Sequence, residues 1–417
     1  MIFLYIILAI AVLLLMVLIH EFGHYVIGRM LNFKITEFSV GFGKAIFSRK
    51  NKRGELISLR IFPLGGYCAF AGEDETNPDD KEAFTNQAPW KRILVFLAGV
   101  TFNFATAVIF SLILLCTVGY DIPQVTTNFS LDAQSYTDVY GEKINGQVVS
   151  VNSYLDNLPE GTEVLQPGDI IISIDGEKID FAYGSLYGDL RTTEFNKIQD
   201  YLEEEEAKAK ANEEEFDIVT AFNNYSINNF SSMTTATVKR NGEYIDNVYL
   251  GFYLLQTQVA SGSDENGQTT YEIENRFCFD SNVEAYVHTF GEALERAVPF
   301  AIGLAWVVLK SLWLLITFQL PLSMIGGPLT TIQTIAVTAQ TNLTNMLILL
   351  PAISANLAIF NILPIPALDG AHILFTSIEA VRKKPIKRET ENMIHMIGLF
   401  ILFGFVFTGF CFLNGCF

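Results

Sequence analysis

Residues Met1 to Ile19 carry no charged side chain, and apolar character resumes at Tyr25 after the interruption His20-Glu21-Phe22-Gly23-His24. A stretch of this length is enough for a helix to cross a hydrocarbon core about 30 Å thick. Lipid offers peptide groups no hydrogen-bond partner, so only helices and closed barrels can span it. This one run therefore limits the fold more than the length of 417 residues does. A cleaved signal peptide is the rival reading. The run lacks a basic leader and no small-x-small cleavage site follows it, so residues 1–30 are expected to form a first transmembrane helix.

Further spans follow. Ile93 to Tyr120 comes after Lys91-Arg92 and carries Ala98, Gly99, Ala105 and Ala107, small residues that let helices approach closely. Met346 to Phe360 begins a third span. Met393 to Phe412 is a fourth, after the basic run Arg382, Lys383, Lys384, Lys387 and Arg388. Ala297 to Leu320 is also apolar enough to cross, but a fifth span would reverse the later ones. It is expected to lie in or against the outer leaflet, with Lys310 snorkelling to water.

Composition agrees: half of the residues are apolar, 17% are charged and the mean hydropathy is +0.32, which excludes a disordered chain and argues against an ordinary soluble enzyme. The net charge of −18 is uneven. Residues 121–295 hold 32 acidic and 9 basic side chains, a net −23, and the remainder carries 13 acidic and 18 basic, a net +5. An acidic exposed domain argues against nucleic acid as a partner, because phosphate binding needs the opposite sign. Residues 25–92 hold 11 basic side chains and residues 380–392 hold five, so the positive-inside rule puts both loops in the cytoplasm and the acidic domain outside. In that domain, Leu165 to Gly176 reads as turn, strand, turn. Thr235 to Leu250, with Asn241-Gly242, reads as a hairpin, and the Glu-rich stretch Asn196 to Asp217 as a solvated helix or loop. The five cysteines are scattered and suggest neither a disulfide framework nor a zinc ribbon.

His20-Glu21-Phe22-Gly23-His24 is an H-E-x-x-H motif within an apolar span. Histidines at i and i+4 share one helix face and can reach a single zinc ion, and Glu21 stands where it can take a proton from the attacking water. Given the composition, chance would supply the motif roughly 0.004 times per chain. Ionisable side chains at membrane depth are costly unless they perform a task. A catalytic zinc needs a third protein ligand. Asp369 is favoured: it follows Asn361-Ile362-Leu363-Pro364-Ile365-Pro366-Ala367-Leu368, where two prolines force irregular backbone at membrane depth, and such backbone must be buried against protein or line a wet cavity. His372 is a rival and Glu379 a weaker one, with His288 in the outer domain and His395 at the start of the last span.

H-E-F-G-H together with N-x-x-P-x-P-x-L-D-G at Asn361 to Gly370 resembles the membrane-embedded site-2 proteases, of the bacterial regulator-of-sigma-E protease type. Val40-Gly41-Phe42-Gly43 and Ile61 to Tyr67 resemble that family's membrane-associated β-loop, and Ala98 to Asn103 its second-span motif. Ser323 to Pro328 is similar to its segment before the third span, and Leu165 to Gly176 to its PDZ module. The resemblance implies a polytopic α-helical membrane protein of about four transmembrane helices, with a membrane-associated β-loop and an extracytoplasmic PDZ-like α/β domain. The implied order is a first transmembrane helix at 1–30, a cytoplasmic β-loop region at 31–92, a second helix at 93–120 and the PDZ-like domain with its acidic insertion at 121–260. An extracytoplasmic and interfacial helical segment at 261–345, a third transmembrane region at 346–380, a cytoplasmic basic loop at 381–392 and a fourth helix at 393–417 complete it.

It further implies a zinc peptidase of the bacterial cell membrane, with its active site near the cytoplasmic side. Such a peptidase cleaves single-span membrane proteins already trimmed by another protease, such as anti-sigma factors or remnant signal peptides, within the lipid. Carried over residue by residue, His20, His24 and Asp369 would bind zinc, Glu21 would be the base, and Asn361 and Asn356 would hold the substrate backbone or the oxyanion. Two departures stand out. One PDZ-like region is found where the best-known members have two, and Pro159-Glu160-Gly161-Thr162 replaces an Ala-rich helix, with no clear carboxylate-binding loop. The domain reads at least as well as a steric filter. From the residues alone, an unwound substrate could pair with an exposed strand, and Ser58 to Phe62 is the candidate edge. Two other classes compete. A non-catalytic membrane PDZ receptor or scaffold would close a structural zinc with four protein ligands. A metal transporter would spread polar residues through several spans, whereas here the ionisable residues cluster at one depth.

Overall fold

The computed structural model describes residues 2–73, 80–129, 136–139, 142–144, 147–179, 188–263, 268–319, 328–341, 345–384, 386, 390–391, 393–398 and 400. The chain divides into two compact units, Met1–Cys116 with Thr289–Phe417, and Thr117–His288.

The first unit opens with helix α1 (Ile2–Met30). It ends where Asn32 turns left-handed (φ 62°) and the Phe33 N–H returns to the Gly28 carbonyl at 2.9 Å, a closure that occupies otherwise orphaned carbonyls. Strands β1 (Ile35–Lys50) and β2 (Leu56–Phe70) then fold back on themselves. Phe38 pairs with both Cys68 and Ile57, and Ile57 with both Phe38 and Arg49, so the spatial order is 66–70, 35–40, 56–60, 45–50. The expected edge at Ser58 is therefore corrected: Ile57, Ser58 and Leu59 are paired on both sides, because β1 is long enough to flank them twice. Phe33, Ile35, Phe70, Phe84 and Val95 seat the sheet, while Phe42, Ile46, Phe47, Leu59, Ile61 and Phe62 remain exposed at its far end. Helix α2 (Pro89–Thr117) follows. It crosses α1 tightly, since a Cβ on Gly23 would lie 2.6 Å from the Ala98 carbonyl oxygen.

The second unit contains strands β3 (Pro123–Asn128), β4 (Tyr136–Thr137), β5 (Lys143–Ile144), β6 (Gln147–Ser153), β7 (Ile170–Ile174) and β8 (Glu177–Lys178). Helices α3 (Gly188–Ala211) and α4 (Ile218–Asn229) follow, then strands β9 (Thr235–Arg240), β10 (Glu243–Tyr249), β11 (Phe252–Ser263), β12 (Thr269–Phe279) and β13 (Ser281–Ala285). The sheets run β10-β9-β7-β3-β13, with β8 on β7, and β12-β11-β6. The expected hairpin is β9–β10, turning through Asn241 and Gly242 at φ 53° and 91°. The Glu-rich stretch lies mainly on α3. Tyr154, Phe222, Tyr225, Phe252 and Leu254 are buried where α3 and α4 cover the sheet, and Tyr225 donates to a buried Glu194 at 2.9 Å. The unit extends past the expected boundary at residue 260, and Thr269–Phe279 and Ser281–Ala285 are strands where a helical segment is expected, because β11 pairs with β12 and β13 returns to β3.

Back in the first unit, α5 (Phe290–Ile316) starts behind a capping box in which Thr289 and Glu292 exchange hydrogen bonds. It begins earlier and ends sooner than the expected 297–320. Leu294, Val298, Ile302, Trp306 and Trp313 face outward, while Ala293, Ala297, Ala301, Leu304 and Ala305 pack inward. Helices α6 (Pro328–Thr341), α7 (Asn345–Ile362) and α8 (Asp369–Arg382) complete the described elements. Residues 323–327, most of the expected fourth span and Lys387-Arg388 lie outside the described residues. Among these, α1, α2 and α5 are long and apolar enough to cross a membrane. Ala9, Val12 and Met16 of α1 pack on Ile335, Ala336, Leu350, Ile353 and Leu357 of α6 and α7.

Candidate metal centre

Helix α1 sets His20 and His24 one turn apart on one face, buried to 8% and 7% exposure. Their rings meet edge to face at 89°, which points both in-plane lone pairs at one place, and the Nε2 atoms lie 3.3 Å apart. Asp369 arrives there from α8, its Oδ2 3.0 Å from His20 Nε2 and 3.3 Å from His24 Nε2. The intervening sequence explains how. Pro364 and Pro366 cannot continue α7. The chain reverses through a left-handed Ala367 (φ 76°) and an extended Leu368, leaving Asp369 as the first residue of α8. Gly370 is required there because a Cβ would run into the carbonyl oxygens of Ile362 and Leu363.

Helix α2 supplies the support. The His24 Nδ1–H donates to the Val95 carbonyl at 2.8 Å, which leaves the lone pair on Nε2. The Asn103 amide lies 3.2 Å from His20 Nδ1 and its Oδ1 is buried without a partner. Turned so that Oδ1 accepts from His20 Nδ1–H, the amide fixes the same tautomer in the second ring. Gly99 makes the room, since a Cβ there would sit 2.5 Å from His20 Cε1 and 2.6 Å from His24 Nε2. Val95, Gly99 and Asn103 are four residues apart and share one face. Ser354 of α7 donates to the Asn103 carbonyl at 2.7 Å and ties that helix to α2.

Two imidazole lone pairs and a buried carboxylate oxygen without a hydrogen-bond partner thus converge, all within 4.8 Å of one another. Facing lone pairs repel unless a cation or a proton lies between them. Two nitrogens and one oxygen, with no fourth protein ligand among the described residues, fit a zinc ion that keeps an open position. Glu21, partly buried beside them, accepts from the Cys68 backbone N–H, and Gly66 in that strand leaves room for the neighbouring strand, since a Cβ there would lie 2.7 Å from the Ser39 carbonyl oxygen.

The rival ligands are engaged elsewhere. His372 stacks between Phe96 and His395. Glu379 pairs with Arg92 at 2.7 Å, and His288 pairs with Asp121 in the other unit. His395 accepts from the Ala367 N–H at 2.8 Å. Asn356 is exposed and Asn361 half-buried, and no hydrogen bond joins either to the His–Asp cluster among the described residues. Sequence reasoning missed Asn103 and the Val95 carbonyl as partners of the histidines. The available signal was a lone amide four residues beyond Gly99 in an apolar span.

The model of peptidase family M50 matches residues 8–405. The chain belongs to this family. As an M50 peptidase, or site-2 protease, it is a metalloprotease whose cofactor is zinc. Among M50-like relatives, a Streptococcus pyogenes protein provisionally named a zinc metalloprotease is 30% identical, over 93% of this chain and 93% of its own. Similarly named proteins of Agrobacterium fabrum and Pasteurella multocida are 25% and 27% identical, covering 96% and 93% of this chain and 93% of each relative.

Proposed function

We propose that this peptidase hydrolyses peptide bonds inside the membrane, in single-span substrates already trimmed by another protease, with His20, His24 and Asp369 as zinc ligands and Glu21 as general base. The observation that carries this reading is the convergence of the two Nε2 atoms and Asp369 Oδ2 at 3.0 and 3.3 Å on elements too apolar to hold them without a purpose. Zinc, when bound, supplies Lewis acidity toward the scissile carbonyl and the attacking water. The Glu21 carboxylate takes the proton of that water as the carbonyl carbon is attacked, then delivers it to the leaving amine nitrogen as the C–N bond breaks. The Cys68 N–H, by donating to Glu21, orients the carboxylate for both transfers.

The substrate must reach this place unwound, and the outer strands of the small β1–β2 sheet, 66–70 and 45–50, offer backbone for pairing. Asn361 and Asn356 are the amides of α7 assigned to the substrate backbone or oxyanion. We read four spans, with α5 against the outer leaflet, both basic loops cytoplasmic and the acidic unit outside as a PDZ-like filter. The apolar tip of the β-sheet, Phe42 to Phe47 and Ile61-Phe62, touches lipid.

The test compares wild type with Glu21→Gln on one single-span substrate, supplied full-length and pre-trimmed. Glu21→Gln should keep its zinc and lose at least about 10²-fold in cleavage, and wild type should spare the full-length form. Substantial turnover by Glu21→Gln would remove the assignment.

A further inference from the structure

The turn that delivers Asp369 is held from outside by the last helix. His395 lies in the helical stretch 393–398. Its Nδ1 accepts from the Ala367 backbone N–H at 2.8 Å, two residues before Asp369. Ala367 is a non-glycine residue at φ 76°, a conformation that persists only where its surroundings impose it. One turn further, Gly398 lies so close to Pro366 that a Cβ on it would strike the proline ring. The ring of His395 is itself fixed, stacked on His372 at 4.3 Å and 18° and edge-on to Phe375 at 5.4 Å.

His372, Glu391 and His395 carry the atoms of a second cation site, and His372 Nδ1 is 3.8 Å from Glu391 Oε1. The geometry argues against it. Imidazole lone pairs lie in the ring plane, and two rings stacked face to face at 4.3 Å direct theirs along separate, nearly parallel planes, whereas the rings at the candidate zinc centre stand at 89°. In a neutral His395, moreover, an Nδ1 that accepts from the Ala367 N–H leaves the proton on Nε2 and no lone pair there to give.

We infer that His395 is a positioning residue for the metal centre: by accepting the Ala367 N–H it holds the left-handed turn that aims Asp369 Oδ2 at the histidines. A partner that orients a metal ligand typically contributes 10- to 100-fold, roughly, in metal affinity. The inference rests on the reading of Asp369 as a ligand.

Three variants of the full chain in detergent separate the possibilities, with zinc dissociation constants measured by competition with a chelator and thermal unfolding recorded alongside. His395→Phe keeps a ring to stack on His372 but offers no acceptor, and should weaken zinc by about 10-fold or more. His395→Asn places an amide oxygen near the former Nδ1 and should restore most of that loss. Asp369→Ala is the control. If it leaves zinc binding intact, the ligand reading fails. If it abolishes binding while His395→Phe binds within twofold of wild type, or while His395→Asn is no better than His395→Phe, the positioning role is overturned. A drop in unfolding temperature shared equally by the Phe and Asn variants, with no difference in zinc affinity between them, overturns it as well.

Discussion

Each unit buries histidine against aspartate, and the two arrangements behave oppositely. In Thr117–His288, His288 Nε2 lies 2.6 Å from Asp121 Oδ1, with side chains 2% and 5% exposed. Here a ring nitrogen meets a carboxylate oxygen directly, and Tyr286 covers the ring edge-on at 4.8 Å. In the other unit two histidines share one carboxylate oxygen. Neutral rings whose Nδ1 protons are committed to Val95 and, with its amide turned, to Asn103 have no proton left to offer Asp369. The buried His–Asp contact in which acceptors outnumber protons is the one that fits a metal ion.

The largest effect separates the two directly. Asp369→Ala should empty the centre of zinc and, by removing several kcal/mol of transition-state stabilisation, slow cleavage at least about 10³-fold. His372→Ala, whose ring stacks away from the centre, should retain the bound zinc. Metal analysis of the purified variants checks both, and the reverse ranking would reassign the third ligand. Next in size, His288→Ala removes the histidine that faces the buried Asp121 at 2.6 Å, which should destabilise its unit by about 1–3 kcal/mol. Denaturant unfolding followed with limited proteolysis would show it, at unchanged zinc content. Loss of zinc in that variant would break the contrast between the pairs.

The two arrangements differ in how far the sequence revealed them. His20, Glu21 and His24 were legible because a helix repeats every 3.6 residues and the motif fits that period. Asp369 was legible because it follows two closely spaced prolines that break the helical pattern and closes the N-x-x-P-x-P-x-L-D-G run. Asn103 was not, since one amide in an apolar span has no periodicity to betray its partner. The His288–Asp121 pair joins residues 167 apart, and no local pattern connects them. In the fold, the Asn241-Gly242 hairpin was readable from turn chemistry, whereas the double pairing of residues 57–59 depends on β1 bending past them twice, a tertiary event. The extension of the second unit past residue 260 was hidden likewise, because β12 and β13 are defined by distant partners.

A smaller change sharpens the metal side of the contrast. Gly99→Ala would push a Cβ to within 2.6 Å of both imidazoles, displacing ligands without removing one. Zinc affinity should fall about 10- to 100-fold while the helices still cross, as a chelator titration would show. Affinity equal to wild type would mean that α2 does not shape the centre.

The smallest effect concerns a carboxylate that pairs with no cation among the described residues. Asp280, in the second unit, is buried at 4% exposure, and burial pushes its pKa up to about 7, against which hydrogen bonds from Ser281 and the Gly251 N–H act only in part. The sign follows from linkage. The folded state holds a proton on Asp280 at pH values where the unfolded chain has lost it, so Asp280 stabilises most below its ordinary pKa. That contribution is lost as pH rises toward about 7. One proton gives a slope of at most about 1.4 kcal/mol per pH unit. Denaturant unfolding of this unit between pH 4 and 8 should therefore show a falling component that Asp280→Asn removes, because the amide keeps the shape and cannot ionise. His288 beside Asp121 and Glu194 beside Tyr225 remain in both proteins, so their contributions cancel in the difference. Parallel curves for wild type and Asp280→Asn would show that Asp280 does not change its proton occupancy on unfolding over this range, and that burial does not raise its pKa.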